Sequence, residues 1–392
     1  MSLKSFRAIT VQLNTAELAA LYEQIIQRID AVFGTTKVYH LGDGRLAWVN
    51  DIADGANIAD AIDALAAMFL SKFQLISHQI VATPAFGLAT VQAAAPSQAV
   101  LHAEFAANRA IEQGHRWVRY GDEMGDSAVY EQKLLADVDD AIAKRDMYPV
   151  FQPKWSIADK RISGVEALLR WNHPERGPIR PDHFIPILEE HDRMLDVTLY
   201  VFDCCAEQAA SWWDKGHDIK VALNVSAPLF ADPAFTGLLM ERVRGLGDLS
   251  SKLMIEITES AVVTNTETTI ETLNALRALG IGVSIDDYGT GQSTLSYLKR
   301  FPADEIKIDQ SFVTRMMASQ SDQILVRSTI ELAHELGFKV VAEGVEDGEC
   351  FAALSAYNCD TAQGWHVGKP IVADEFFALI VNGSNLPLAQ AS

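Results

Sequence analysis

Leu253-Met254-Ile255-Glu256-Ile257-Thr258 is followed thirty residues on by Val283-Ser284-Ile285-Asp286-Asp287-Tyr288, and then by Glu305-Ile306-Lys307-Ile308. Each run is short, rich in Ile and Val, and closes on polar groups, the composition of a strand buried on both faces. Between the first two runs, residues 267–279 carry apolar side chains at helical spacing. The alternation continues on either side. Downstream lie strand-like runs at 340–345 and 361–367 and helical runs at 323–336 and 348–356. Upstream lie strands at 150–157, 162–171 and 220–226 and a helix at 198–215. Eight strands in roughly 230 residues, with helices between most of them, predict an α/β chain folded as a closed TIM-like (β/α)8 barrel. The competing arrangement is an open doubly wound sheet. It more often carries a glycine-rich phosphate loop after its first strand, and Gln152-Pro153-Lys154 is not one.

Catalytic groups of such a barrel stand at the C-terminal ends of its strands. The polar residues there are Glu166 on the second strand, Asn224 on the third, Glu256 on the fourth, Asp286 and Asp287 on the fifth, Lys307 on the sixth, Glu343 on the seventh and Gln363 on the eighth. A carboxylate inside an apolar strand is costly unless it is paired or bound to metal. A satisfied core polar group explains any one of these residues, but not seven successive strands. Five carboxylates in one cavity raise one another's pKa values, and divalent cations remove that repulsion. Oxygen ligands without clustered His or Cys select Mg²⁺, Mn²⁺ or Ca²⁺ over zinc. Adjacent Asp286 and Asp287 suit a bridged pair of ions, as in two-metal phosphoester hydrolysis. Lys307 is placed to orient an attacking water or neutralise a phosphate oxygen, and Arg170 to contact a phosphate.

The remaining composition narrows the partners. The 392 residues carry a formal net charge of −20, which argues against duplex nucleic acid because phosphate neutralisation needs a basic face. No signal-peptide pattern opens the chain. An apolar stretch such as 61–70 is broken by Asp63 and falls short of the ~20 residues of a membrane helix. Cys204, Cys205, Cys350 and Cys359 show no C-x-x-C spacing and read as reduced, buried thiols of a cytoplasmic protein, or of the cytoplasmic part of a longer one.

A different pattern precedes residue 148. Residues 8–13 alternate like a strand, and 15–33 carry helical spacing. Strands at 37–40 and 46–49 flank the turn Gly42-Asp43-Gly44. Residues 58–73 and 97–114 read as helices, 79–82 and 88–91 as strands, and 130–146 as a polar amphipathic helix. Met1-Ser2-Leu3 is assigned no structural role. The sum is an α+β domain.

Glu166-Ala167-Leu168-Leu169-Arg170-Trp171, Asn224-Val225-Ser226, Glu256-Ile257-Thr258-Glu259-Ser260, Asp286-Asp287-Tyr288-Gly289-Thr290-Gly291, Lys307-Ile308-Asp309, Ala342-Glu343-Gly344-Val345-Glu346 and Gln363-Gly364 follow one another along the chain. In identity and order these runs closely resemble the motifs of the EAL family of bacterial cyclic di-GMP phosphodiesterases, over residues 148–385. The resemblance implies a barrel whose first strand is antiparallel to the rest. It implies metal-dependent hydrolysis of cyclic di-GMP to linear 5'-pGpG with Mg²⁺ or Mn²⁺, the alternative being a non-catalytic cyclic di-GMP receptor or a signalling scaffold. Glu166, Asn224, Glu256 and Asp286 would hold one ion, and Asp286, Asp287 and Glu343 the second. Lys307 would help activate the attacking water, with Glu343 and Glu346 completing the catalytic set. Gln152, Leu168, Arg170 and Gln363 would contact substrate. Glu259 would anchor the 286–295 loop, which often borders a dimer interface in this family, so a homodimer is expected. Tyr288 and Gln292 depart from the usual Phe and Tyr of that loop. Residues 4–128 more faintly resemble a degenerate GGDEF domain, joined to the barrel by a linker helix at 129–147. Gly44, Arg45 and Asn14 stand where that family's acids would be, so cyclase activity is not expected.

Overall fold

Val221-Ala222-Leu223, Val283, Ile285, Ile306, Ile308 and Val340-Val341-Ala342 are all buried, as strands covered on both faces require. The computed structural model describes residues 1–4, 6–11, 13–34, 36–50, 58–77, 79–91, 96–259, 267–289 and 301–381. They form two compact units, Met1–Gln132 and Lys133–Ser392.

The second unit is an eight-stranded barrel. Its strands are β1 (Met147–Ser156), β2 (Arg161–His173), β3 (Lys220–Asn224), β4 (Leu253–Thr258), β5 (Gly282–Tyr288), β6 (Glu305–Ile308), β7 (Lys339–Ala342) and β8 (Thr361–Gln363). Neighbours from β2 to β8 pair in parallel. β1 closes the ring between β8 and β2 and is antiparallel to both. The reason is local: only residues 157–160 join β1 to β2, and a parallel crossover needs a dozen residues or more. A short strand, Gly177–Ile179, adds to the outer edge of β2.

Helices cover the barrel because each presents one apolar stripe. Met194–Asp214 buries Val197, Val201, Phe202, Cys205, Ala209 and Trp212. Gln320–Glu335 buries Val326, Ile330 and Ala333. Asp232, Ser319 and Asp347 cap three of the helices by accepting from the N–H groups of Ala234, Asp322 and Cys350. All four cysteines are free and buried.

The expected linker helix over 129–147 is displaced. The helix spans Asp122–Ala143, and Met147 already belongs to β1. Pro149 pairs opposite Leu169, so the strand runs through it to the Met147–Trp171 pair. The C-terminal half of this helix is held in the barrel unit by buried Leu134, Val138 and Ala141 and by Asp137, 3.1 Å from His173.

The first unit holds a five-stranded sheet in the order Val38–Gly42, Arg45–Trp48, Ser2–Leu3, Pro84–Leu88, Trp117–Arg119. The helix Thr15–Phe33 opens with a capping box between Asn14 and Glu17 and buries Leu21, Ile25 and Ile29. Two expectations are corrected here. Residues 8–10, expected in a strand, lie in the helix Phe6–Thr10. Phe6, Ile9 and Leu13 face the core at helical spacing, whereas Val11, which alternation would bury, is 86% exposed. The central strand is instead Ser2–Leu3, in the segment assigned no role: Met1 and Leu46 exchange two hydrogen bonds of 3.0 Å. At the turn, Gly44 has φ +73, and a Cβ there would come within 2.4 Å of the Phe6 ring.

Candidate active site

The interior residues of each strand alternate, so Gln152 and Lys154 on β1, Glu166 and Leu168 on β2, Asn224 on β3, Glu256 on β4, Asp286 on β5 and Glu305 and Lys307 on β6 share the inward parity. Register places Asn224 beside Glu256, Glu256 beside Ser284, and Ser284 beside Glu305. Strand alternation then fails to explain Asp287, since adjacent residues of a regular strand face opposite ways. The pairing of β5 with β6 shifts register between Ile285 and Tyr288, and Asp287 has φ +57. This bulge turns both carboxylates to one cavity, and the Asp287 N–H donates to Asp286 Oδ1 at 2.9 Å.

Two groups of carboxylates result, each with ligand atoms within 4.8 Å of one another: Glu166, Glu256 and Asp286, and then Asp286, Asp287 and Glu343. Asp286 belongs to both. Lys307 is fully buried among them. Its Nζ lies 2.8 Å from Glu256 Oε2, 2.8 Å from Glu343 Oε1, 3.1 Å from Asp286 Oδ1 and 3.4 Å from Glu166 Oε2. Asn224 donates to Glu166 Oε1 at 2.8 Å.

Burial and charge pull these groups apart. Burial alone would lower the Lys307 pKa, but Glu166, Glu256, Glu343 and Asp286 together hold it well above the usual lysine value. Burial would raise Glu256, but Lys154 and Lys307 hold it down to about 2. Burial prevails over Lys307 at Glu343, whose carboxyl rises to about 8. Glu166 and Asp286 are raised for the same reason. Two carboxylates sharing one lysine cannot both be compensated by it.

The donor set fits hard divalent cations. Both groups are all-oxygen, with no His or Cys in either. Their five carboxylates against Lys307 leave a formal excess of four negative charges, which two divalent cations neutralise.

The other expected residues take varied positions. Gln363 donates to Glu166 Oε2 at 2.6 Å and to Gln152 Oε1 at 3.1 Å, while Gln152 donates to the Gly368 carbonyl at 3.3 Å. Gln363 Oε1 is buried without a partner among the described residues. Leu168 and Arg170 continue the inward face of β2 beyond Glu166, and Arg170 donates to its neighbour's carbonyl at 2.9 Å. Glu259 is buried and accepts from the Gly289 N–H at 2.7 Å. Residues 290–295 of the loop, with Gln292, and Ser260 lie outside the described residues. Glu346 is exposed and belongs to neither carboxylate group. Gly364 lets two loops meet at the rim: a Cβ there would lie 2.3 Å from the Val345 backbone, and the Val345 N–H donates to the Gln363 carbonyl at 3.0 Å.

One buried group escaped the sequence reading. Lys154 Nζ lies 2.5 Å from Glu256 Oε1 and 3.6 Å from Glu305 Oε1. Its signal was parity: it stands two residues after Gln152, on the same face of β1. A cavity of about 530 Å³ lined by Lys220, Asn274, Arg277 and Asp304 opens away from all these groups, at the N-terminal strand ends. Its carboxylate, Asp304, is paired with Arg277.

The model of the EAL domain family matches residues 135–370, more than half of the chain. The bifunctional diguanylate cyclase/cyclic di-GMP phosphodiesterase MucR of Pseudomonas aeruginosa is 29% identical over 97% of this chain and 56% of its own length. Another cyclic di-GMP phosphodiesterase of the same organism is 33% identical over 69% of this chain and 46% of its own length. The chain thus spans about half the length of these curated relatives. The solved cyclic di-GMP complex of the PaMucR phosphodiesterase is 36% identical and covers 62% of this chain and 99% of its own, with a TM-score of 0.59. The barrel with its reversed first strand and the matched residues 135–370 lead to one conclusion: this chain belongs to the EAL family.

Proposed function

We propose that this chain is a metal-dependent phosphodiesterase that hydrolyses cyclic di-GMP to linear 5'-pGpG, using two Mg²⁺ or Mn²⁺ ions. The observation that carries the reading is the pair of carboxylate groups sharing Asp286, with buried Lys307 between them. Glu166, Asn224, Glu256 and Asp286 hold one ion, and Asp286, Asp287 and Glu343 the other. Bound divalent ions supply Lewis acidity at the phosphoryl oxygens and acidify a water. Lys307 remains charged and donates hydrogen bonds as negative charge develops at the attacked phosphate. Gln152, Leu168, Arg170 and Gln363 receive substrate, with Arg170 offering its guanidinium to a phosphate oxygen. Glu259 fixes the segment after Asp287 through the Gly289 N–H.

The N-terminal unit is proposed as a degenerate GGDEF-like domain without cyclase activity. In support, Arg45 at the hairpin is engaged by Glu104 and Asp43. Glu346 acts at the rim, and the chain forms a homodimer in the bacterial cytoplasm. Among the described residues no helix is long and apolar enough to cross a membrane. The test is incubation of the purified chain with cyclic di-GMP and Mg²⁺ or Mn²⁺, products being separated by chromatography and mass measured by sedimentation. Appearance of pGpG supports the reading; binding without cleavage in either metal makes the chain a receptor.

A further inference from the structure

Lys154 is 5% exposed and stands in the barrel interior, opposite Gln363 on β8 and Gly164 on β2. A buried ammonium is costly unless carboxylates surround it. Its partners are Glu256 Oε1 at 2.5 Å and Glu305 Oε1 at 3.6 Å, and Ser284 donates to the same Glu305 oxygen at 3.2 Å. Glu256 therefore has its two oxygens divided. Oε1 is held by Lys154, while Oε2 faces Lys307, within the carboxylate group it shares with Glu166 and Asp286. A carboxylate free at both oxygens can chelate one ion bidentately, rotate, or bridge two ions. One whose first oxygen is tied to a cation outside the group turns its second oxygen toward the group, where Lys307 Nζ lies 2.8 Å from it.

We propose that Lys154 is a positioning residue that commits Glu256 to single-oxygen ligation of a divalent cation. This rests on the two-metal reading of the site. Lys154 and Glu305 add one positive and one negative charge, so they leave the charge of the cavity unchanged and act through orientation. Partners that orient a ligand in this way typically change metal affinity or activity 10–100-fold when removed. Lys154 touches neither substrate nor reacting atoms in this assignment, so its loss should be felt first in metal binding.

The experiment is calorimetric titration of the EDTA-stripped full chain with Mn²⁺, comparing the unaltered protein with Lys154→Met and Lys154→Arg. Lys154→Met keeps the alkyl stem and removes the donor, and its Mn²⁺ Kd is expected to weaken by about 10–100-fold. Lys154→Arg, which retains charge and donors, is expected to recover most of that loss. Where Lys154→Met does not fold, Lys154→Leu makes the same comparison, again without a donor. Mn²⁺ affinity within twofold of the unaltered protein, even with a lowered melting temperature, would mean that Lys154 serves the fold alone and overturns the proposal. Failure of the unaltered protein to bind Mn²⁺ overturns the two-metal reading itself, a distinct result.

Discussion

Lys307 holds four carboxylates within 3.4 Å, so its loss can be read separately in binding and in turnover. In saturating Mg²⁺, Lys307→Ala should lower kcat by about two orders of magnitude or more, the scale of removing one preorganised charge stabiliser. Cyclic di-GMP affinity, measured by calorimetry in Ca²⁺ to hold back hydrolysis, should change far less. Unchanged turnover would refute the role. Glu343 gives a pH prediction. Its carboxyl in the metal-free fold rises to about 8, so it keeps its proton where an ordinary glutamate has lost it. Its contribution to stability is complete below its ordinary value of 4.5 and is lost as pH rises through about 8. A divalent ion must displace that proton. Metal affinity should therefore climb between pH 5 and pH 8 with proton release, visible as a buffer-dependent heat, and the metal-free melting temperature should fall over the same interval.

At the scale of elements, two neighbouring tryptophans separate packing from surface. Trp212 lies between Phe151 and Phe376, at ring-centroid distances of 5.2 and 4.9 Å, and is buried. Trp212→Ala should cost about 3–5 kcal/mol. Trp213 is 49% exposed beneath the Lys252 ammonium, and Trp213→Ala should cost no more than about 1 kcal/mol. Denaturant midpoints compare the two directly. Both the helical face and the barrel strands are legible in sequence because burial writes itself as periodicity: the eight strands and the ring of polar residues at their ends follow from short apolar runs at regular intervals. What escapes periodicity is less legible. Lys154 looks like any polar residue near a proline, since its partners Glu256 and Glu305 come from strands over 100 residues away. Phe6–Thr10 is too short for alternation and helical spacing to be told apart until the core chooses a face. Ser2–Leu3 is a strand through its neighbours' hydrogen bonds and not through its own composition. The bulge at Asp287 is a backbone event with no side-chain signature.

For the whole molecule, the two compact units predict separable behaviour. A chain starting near residue 129 should fold as a barrel and retain cyclic di-GMP hydrolysis, whereas residues 1–132 supplied with GTP and Mg²⁺ should yield no cyclic di-GMP; product from GTP would overturn the reading of Gly44 and Arg45. The reversed β1 has a topological consequence. Its first residue, Met147, pairs with Trp171, beyond Glu166 at the C-terminal end of β2. In a barrel of eight parallel strands the chain would enter at the far rim, a strand's length from the chemistry. Here the Asp122–Ala143 helix hands over to the barrel at the rim that carries the carboxylates, five residues before Gln152. That helix leads into the strand bearing Gln152 and Lys154, whose side chains reach Gln363 and Glu256. The chain's entry into the barrel and the mouth that carries the carboxylates are one place, and β1 runs from that mouth inward.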